Sequence, residues 1–448
     1  MNLSEHGRST EGDVNTSSIR STWQAEHVSP STQEVLAKDE KAFLRQNLST
    51  PCMNALRSLN GSWIEDIEGR RYLDFHGNMV HQVGHANPMV IQAIKDQLDQ
   101  LSFCPRRYTN DVAIQLAEKL AEITPGGLQK VLFAPGGSAA MGIALKLARI
   151  ATGRYKTISM WDSFHGASLD ACSVGGEESF RRGVGPLLPG SEHVPPSDPI
   201  RCPLKCGTSC NMGCANYLEY VLAREGDVAA VIAEPMRCTT VVSPPPGYWQ
   251  QIRAACDRHG TLLIFDEIPT AFGRTGKWFA SEWTGVVPDI LVVGKGLGGG
   301  IMPLAAVITK LELDIAAEHS IGHYTHEKSP VACAAGLAMI EVVEKDRLVA
   351  RSQELGESSV YYLRKRLASN QAVVEIRGYG LLIGIELKSA TMAEKCLYRC
   401  LSLGLNFKVS SGTVLTLAPP LNISQQDLDH AWSIVVSVLE SIGIDAED

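Results

Sequence analysis

The most restrictive feature of this chain is a set of short, uninterrupted apolar runs separated by stretches with helical spacing. The runs are Lys130-Val131-Leu132-Phe133, Thr157-Ile158-Ser159-Met160, Val228-Ala229-Ala230-Val231-Ile232, Thr261-Leu262-Leu263-Ile264-Phe265 and Asp289-Ile290-Leu291-Val292-Val293. They are continuous rather than alternating, as expected of strands covered on both faces. Helical periodicity lies between them, as over residues 140–150 and 248–259. Strand and helix in alternation predict an α/β fold with a mostly parallel central sheet. Ligands of such sheets bind beyond the carboxyl ends of strands. The polar residues just after each run are therefore the first candidates for chemistry.

A chain of 448 residues exceeds one ordinary core. After about residue 320 the pattern changes to a long helical stretch (330–369), a strand pair (373–376 and 382–387) and a final helix (424–442). The divisions expected are an N-terminal arm and small-domain segment over 1–75, a large domain over 76–320 and a smaller α+β C-terminal domain over 321–448. The first 22 residues are polar and rich in Ser and Thr, which reads as a mobile arm without a signal peptide. No stretch approaches the ~20 apolar residues of a membrane helix. A net charge of -8 disfavours nucleic-acid or anionic-membrane partners, so any anion site must come from local geometry. Twelve cysteines and no secretory signal point to reduced thiols in the cytoplasm.

Lys295 directly follows the run ending at Val293, with Gly294 and Gly296 on either side. A lysine there can be approached closely by a flat ligand, and desolvation would make its amine a nucleophile. An exposed loop lysine is the plainer alternative. Asp266-Glu267 ends another run, and a buried carboxylate needs a cationic or hydrogen-bonding partner. A protonated pyridine nitrogen is one such partner; an ion pair with Arg274 is another. Gly136-Gly137-Ser138 joins a strand to a helix whose N-terminus favours an anion, with Ser138 also readable as an N-cap. Phe164, before His165-Gly166, could stack on one face of a ring, with Ile268 on the other.

Together and in this order, these motifs resemble the class III aminotransferase family of fold-type I pyridoxal 5'-phosphate (PLP) enzymes. Gly84-His85-Ala86-Asn87-Pro88, Glu234-Pro235, Phe272-Gly273-Arg274-Thr275-Gly276, Arg377-Gly378-Tyr379-Gly380 and Pro419-Pro420-Leu421 extend the likeness from about Gly61 to the C-terminus. The resemblance implies PLP as cofactor, Lys295 as the Schiff-base lysine and proton carrier, and Asp266 on the pyridine nitrogen. It implies Phe164 on the ring, Gly137 and Ser138 on the phosphate, and Glu234 near cofactor and substrate. Thr325 matches a threonine that reaches the phosphate of a neighbouring subunit, which implies a homodimer with shared active sites.

Several positions depart from the family pattern. Thr416 stands where many members carry an arginine for the substrate α-carboxylate, and one hydroxyl cannot replace a bidentate guanidinium. Ala139 replaces a glutamate, and Pro269 replaces a glutamine. Arg237 replaces a residue that is usually glutamine. Arg237, Arg106 and Arg107 are candidates for binding a phosphonate, while His76, Asn78 and His81 are candidates for lining the substrate site. Cys202, Cys206, Cys210 and Cys214 fall at equal four-residue steps. They fit either a tetrahedral zinc site or four reduced thiols, and Pro203 with Gly207 argues against one helix presenting all four. The stretch resembles that of a family branch acting on aminophosphonates. The implied reaction is elimination of ammonia from an amino-hydroxy-phosphonate. Amino transfer from an ω-amine or aminophosphonate to pyruvate is the alternative.

Overall fold

The computed structural model describes residues 17–46, 50, 52–206 and 210–444. The chain divides into two compact units, one of Pro88–Cys238 and Val242–Ala350, the other of Met1–Asn87, Thr239–Val241 and Arg351–Asp448.

The first unit is built on a seven-stranded sheet. Its strands are β1 (Leu128–Ala134), β2 (Lys156–Met160), β3 (Ser191–Val194), β4 (Val228–Ala233), β5 (Leu262–Asp266), β6 (Ile290–Val293) and β7 (Ala305–Lys310). The spatial order is β1-β7-β6-β5-β4-β2-β3. Strands β6, β5, β4, β2 and β3 pair in parallel, and β7 runs antiparallel to both its neighbours. Each of the five apolar runs read from the sequence lies largely within one of these strands. Every residue of β4 and β6 is buried, which accounts for the unbroken runs. The reversed strand β7 was not among the expected ones, since a run of apolar residues does not encode strand direction.

Helices cover the sheet. Helix α1 (Gly137–Thr152) buries Ala140, Met141, Ile143, Ala144, Leu147 and Ala148, in one cluster with Ile232 of β4, Ile264 of β5 and Val292 of β6. This contact fixes the helix N-terminus at the carboxyl edge of the sheet, and Ile143→Ala would cost about 2–5 kcal/mol. Helices α2 (Gly213–Glu225) and α3 (Tyr248–His259) join β3 to β4 and β4 to β5. Helix α4 (Pro330–Lys345) starts with Pro330 in its first turn and the Ser329 hydroxyl accepting from the Ala332 N–H. The helical stretch expected over 330–369 is two helices. The left-handed backbone of Arg347 (φ +51°) separates α4 from the helix Leu348–Arg366.

The second unit carries two four-stranded sheets. One pairs Leu56–Asn60, Trp63–Asp66, Arg71–Asp74 and Leu405–Asn406; the other pairs Val373–Tyr379, Leu382–Leu387, Val414–Leu417 and Lys408–Ser410. The final helix is Gln425–Ile444. The expected N-terminal arm is corrected from Ser18 onward, where Ser18–His27 is helical and capped by the Ser17 hydroxyl. Trp23 anchors it, being buried and donating from Nε1 to Ser402 Oγ at 3.0 Å. The arm's first sixteen residues lie outside those described. Among the described residues, no helix is long and apolar enough to cross a membrane.

Candidate active site

Strand register brings the singled-out residues of the first unit to one edge. Asp266 is level with Val292, and Ala233 is level with Phe265. The carboxyl ends of β2, β4, β5 and β6 thus lead into Phe164-His165, Glu234, Asp266 and Lys295. The carboxyl end of β1 leads into Gly136-Gly137-Ser138.

Asp266 is buried, and its partner is histidine rather than Arg274. Its Oδ2 lies 2.8 Å from His165 Nδ1, and its Oδ1 accepts the Ile268 N–H at 3.1 Å. His165 is also fully buried, and its Nε2 has no hydrogen-bond partner among the described residues. With the carboxylate as acceptor, the imidazole proton on that side belongs to Nδ1. Sequence reasoning noted His165 only as a motif neighbour of Phe164 and gave it no role. Its signal was a histidine directly after a strand whose carboxyl end shares an edge with that of Asp266.

Glu267 faces the other way, as strand alternation requires. It accepts backbone N–H bonds from Ala280 at 2.5 Å and Ser281 at 2.7 Å, and the Thr270 hydroxyl at 3.2 Å. Full burial pushes its carboxyl up to about 7, against the lowering effect of these donors. Its place is in the scaffold beneath the site.

The turn after β1 opens α1 without a side-chain cap. Gly136 is extended and the helix begins at Gly137, so the expected N-cap role of Ser138 is corrected. The Ser138 hydroxyl instead accepts the Ala167 N–H at 3.0 Å. The first bond of the helix runs from Ala140 N–H to the Gly136 carbonyl, so the N–H groups of residues 137–139 precede it. A Cβ on Gly137 would stand 2.8 Å from Ile268 Cδ1, and one on Gly166 (φ +132°) would stand 2.5 Å from Ser138 Oγ. Glycine is required at 166, where a Cβ would also meet the Ser138 backbone, whereas at 137 the Ile268 side chain could turn aside. Tyr324 donates to the Ala139 carbonyl at 3.4 Å, tying the loop that carries exposed Thr325 to this helix end.

Lys295 opens the turn after β6 with a left-handed backbone (φ +48°) and is exposed in the single chain. The expected desolvation is therefore not supplied by the chain alone, because the residues around the turn leave the amine open to solvent. Ile268 is half-buried beside both Gly137 and Gly294, which joins the glycine turn to the lysine turn. Phe164 is half-buried and packs on Phe180, with centroids 4.3 Å apart and planes tilted by 38°.

Glu234 and Arg237 line a cavity of about 40 Å³ with Ser163, Ser197, Tyr248 and Trp249. Burial raises the Glu234 carboxyl, while the Arg237 guanidinium pulls it down. Glu234 also accepts the Cys238 N–H at 3.0 Å, and Arg237 exchanges both backbone hydrogen bonds with Val242. The Tyr248 hydroxyl is buried with no hydrogen-bond partner among the described residues. Arg106 and Arg107 are exposed in the loop before the helix Asp111–Ile123.

In the second unit, Thr416 is a buried structural hydroxyl. It donates to the Thr239 carbonyl at 2.6 Å and lies 2.9 Å from Ser410 Oγ. His76 and His81 lie beside Asp74, whose carboxylate accepts from the His76 and Gly77 N–H groups, the Asn406 amide and His85 Nε2 at 2.8 Å, while Asn78 is exposed with a left-handed backbone (φ +46°). Burial alone would raise that carboxyl, but the His85 contact and the nearby His81 and His76 hold it well below the usual carboxylate range. Donor atoms of Asp74, His81 and His85 fall within 4.8 Å of one another. The hydrogen bonds already made there describe a folding hub around one charge.

A buried carboxylate aimed past its histidine, a lysine one strand away and a glycine-lined helix N-terminus fit a planar, protonated, phosphate-bearing cofactor. Sequence comparison decides the family. Residues 46–439 match the model of aminotransferase class-III.

The chain belongs to the class III aminotransferases.

Members of this family are PLP enzymes of fold-type I, and the α/β architecture described above is that of this fold. The chain is 45% identical to an (R)-1-hydroxy-2-aminoethylphosphonate ammonia-lyase of Vibrio splendidus, over 99% of this chain and 97% of that one. It is 35% identical to an ornithine aminotransferase of Bacillus subtilis, over 90% and 97%. Among solved structures, an aminotransferase of Bacillus anthracis superposes with a TM-score of 0.84 at 30% identity, over 91% of this chain and 98% of that one.

Proposed function

We propose that this protein is a PLP-dependent lyase that converts (R)-1-hydroxy-2-aminoethylphosphonate to phosphonoacetaldehyde and ammonia, a step of phosphonate catabolism. The observation that carries the reading is 45% identity, over nearly the whole chain, to a lyase of that name. The threonine at 416, hydrogen-bonded within the fold, supports it by leaving no guanidinium there for an α-carboxylate.

When bound, PLP supplies an aldehyde that captures the substrate amine and a ring that withdraws electrons from the carbon bearing that nitrogen. Lys295 is the residue that carries the cofactor and, once released, takes a proton at Nζ from the carbon bearing nitrogen. Asp266 holds the proton on the ring nitrogen, and His165 orients Asp266 through its Nδ1–H. Gly137, Ser138 and the N–H groups of the first turn of α1 hold the phosphate, with Thr325 of a partner subunit completing it in a homodimer. Phe164 and Ile268 flank the ring. Arg237 is the assigned phosphonate contact, with Arg106, Arg107, His76 and Asn78 as outer candidates. Loss of hydroxide from the carbon next to the amine-bearing one leaves an enamine product, which takes up water to give aldehyde and ammonia. The net change is substrate to phosphonoacetaldehyde plus ammonia, with no amino acceptor. Cysteines held as free thiols suit a cytoplasmic location.

The same cofactor contacts would serve an aminotransferase, as in the Bacillus subtilis relative. Following ammonia and aldehyde from racemic substrate with and without pyruvate separates the two. Equal ammonia and aldehyde without pyruvate supports the lyase. Product only with pyruvate, matched by alanine, overturns it.

A further inference from the structure

Immediately after Arg237 the chain makes a tight, strained loop. Arg237 and Val242 exchange backbone hydrogen bonds of 2.8 and 3.1 Å, closing a hairpin whose loop is residues 238–241. The last loop residue, Val241, is left-handed (φ +54°) and fully buried. That backbone suits glycine or asparagine, and in a β-branched residue it is strained. Strain of this kind persists only where the surroundings over-determine it.

One level of a sheet in the second unit supplies those surroundings. Arg377 of the strand Val373–Tyr379 is paired with Gly384 of Leu382–Leu387, and Gly384 with Thr416 of Val414–Leu417. Residues paired in this way point to the same face, so a guanidinium and a hydroxyl flank a position without a side chain. The segment Thr239–Val241 belongs to the same unit, and all three of its residues meet this row. Thr416 donates to the Thr239 carbonyl at 2.6 Å, and Arg377 Nε donates to the Thr240 carbonyl at 2.8 Å. Val241 packs on Gly384, where a Cβ would stand 3.1 Å from Cβ and Cγ2 of the valine. The row is itself held in place. Arg377 Nη1 donates to Glu386 at 2.8 Å and Glu375 at 3.1 Å, and Ser410 Oγ lies 2.9 Å from the Thr416 hydroxyl. Two consecutive carbonyls and one strained side chain are thus fixed by three adjacent positions.

We propose that Thr416 and Arg377 are positioning residues for substrate binding: by holding the Thr239 and Thr240 carbonyls they set the backbone of this loop, and with it the direction of the Arg237 side chain. The inference rests on Arg237 being the phosphonate contact. Only Cys238 separates Arg237 from the held segment, and its N–H is committed to the Glu234 carboxylate at 3.0 Å, which leaves the hairpin little freedom to absorb a shift of its loop. A guanidinium meets an oxyanion through paired, directional N–H bonds, so a small rotation at the hairpin base weakens the contact without removing any charge. Position 416 then governs the substrate anion at second hand, through a carbonyl, where an arginine would grip it directly. The left-handed Val241 is the mark of that constraint, since a loop free to relax would not keep it.

The test uses the PLP-loaded full-length protein. KM and kcat are measured with racemic 1-hydroxy-2-aminoethylphosphonate, and dissociation constants are read from the cofactor absorbance for 2-aminoethylphosphonate and for propylamine, which lacks the anion. Thr416→Val keeps the shape and loses the donor. It should raise KM and weaken 2-aminoethylphosphonate roughly 3- to 10-fold, with a smaller change in kcat and none in propylamine binding. Thr416→Ser should restore most of the loss. Gly384→Ala removes no hydrogen bond but presses on Val241, so it should act in the same direction and reads the same clamp where Thr416→Val does not fold. In an Arg237→Ala background Thr416→Val should add nothing further, because the hydroxyl acts through the arginine. Additive losses in that double variant, equal weakening of both probes, or an unchanged KM in folded Thr416→Val or, where that variant does not fold, in Gly384→Ala would overturn the proposal. A wild type that binds 2-aminoethylphosphonate no better than propylamine would instead overturn the phosphonate reading, and this inference with it.

Discussion

Nδ1 of His165 lies 2.8 Å from Oδ2 of Asp266, with both side chains buried and Asp266 one strand from the lysine turn. The histidine fixes which way the carboxylate points, and the carboxylate fixes which imidazole nitrogen carries the proton. A hydrogen bond to a charged group of this kind contributes about 1.5–3 kcal/mol. His165→Phe should therefore lower kcat by roughly 10- to 100-fold and shift the absorbance band of bound PLP. His165→Asn, which can still donate, should recover part of both. A kcat and spectrum unchanged in His165→Phe would remove the histidine from the mechanism.

The contact between Gly166 and Ser138 makes a second prediction. A Cβ at 166 would stand 2.5 Å from Ser138 Oγ and 2.9 Å from its Cα, at a φ of +132°. Gly166→Ala must push the turn at the start of α1, which is where the phosphate is assigned. Strain of this kind costs about 1–3 kcal/mol, so PLP affinity should fall roughly 10-fold or more in a protein that still folds. Equilibrium dialysis against PLP measures it, and unchanged affinity would place the phosphate elsewhere.

Glu267 should leave a signature in stability against pH. Its folded pKa is raised to about 7 from an ordinary 4.5, so the folded state favours the protonated form. The stabilisation is fully present below about pH 4.5 and is lost as pH rises through 7. Its size is at most on the order of 3 kcal/mol. Glu267→Gln should flatten this part of the curve, raising stability relative to wild type more at pH 8 than at pH 5. Denaturant unfolding at the two pH values checks it; parallel curves would contradict the assignment.

The polar edge of the sheet was legible because buried parallel strands print themselves as apolar runs, and a run's end marks where chemistry can sit. Lys295 and Asp266 were singled out as candidates that way. His165 was not assigned a role, because its partner lies 101 residues away and pairing across β4 needs the strand order. The outward turn of Glu267 follows from alternation but not from its identity. Ser138 was legible as a turn residue and wrongly as a cap, since glycine at 136 takes the boundary. The open position of Lys295 belongs to tertiary packing, which no local pattern carries.

Arg237 should act on binding more than on chemistry. Arg237→Ala is expected to raise KM for the phosphonate substrate by roughly 10- to 100-fold with a smaller change in kcat. Arg237→Lys, which keeps the charge beside Glu234, should restore part of the loss. Equal KM values across wild type and both variants would move the phosphonate site to other cations.

The most direct test of the central claim is to reduce the PLP-loaded protein with borohydride and map the modified peptide by mass spectrometry. Reduction fixes the cofactor to the lysine that carries it as a stable secondary amine. The predicted result is one phosphopyridoxyl group per chain, on Lys295, and none on the Lys295→Ala variant. A label on another lysine, or no label in protein that holds PLP, would contradict the account of the site.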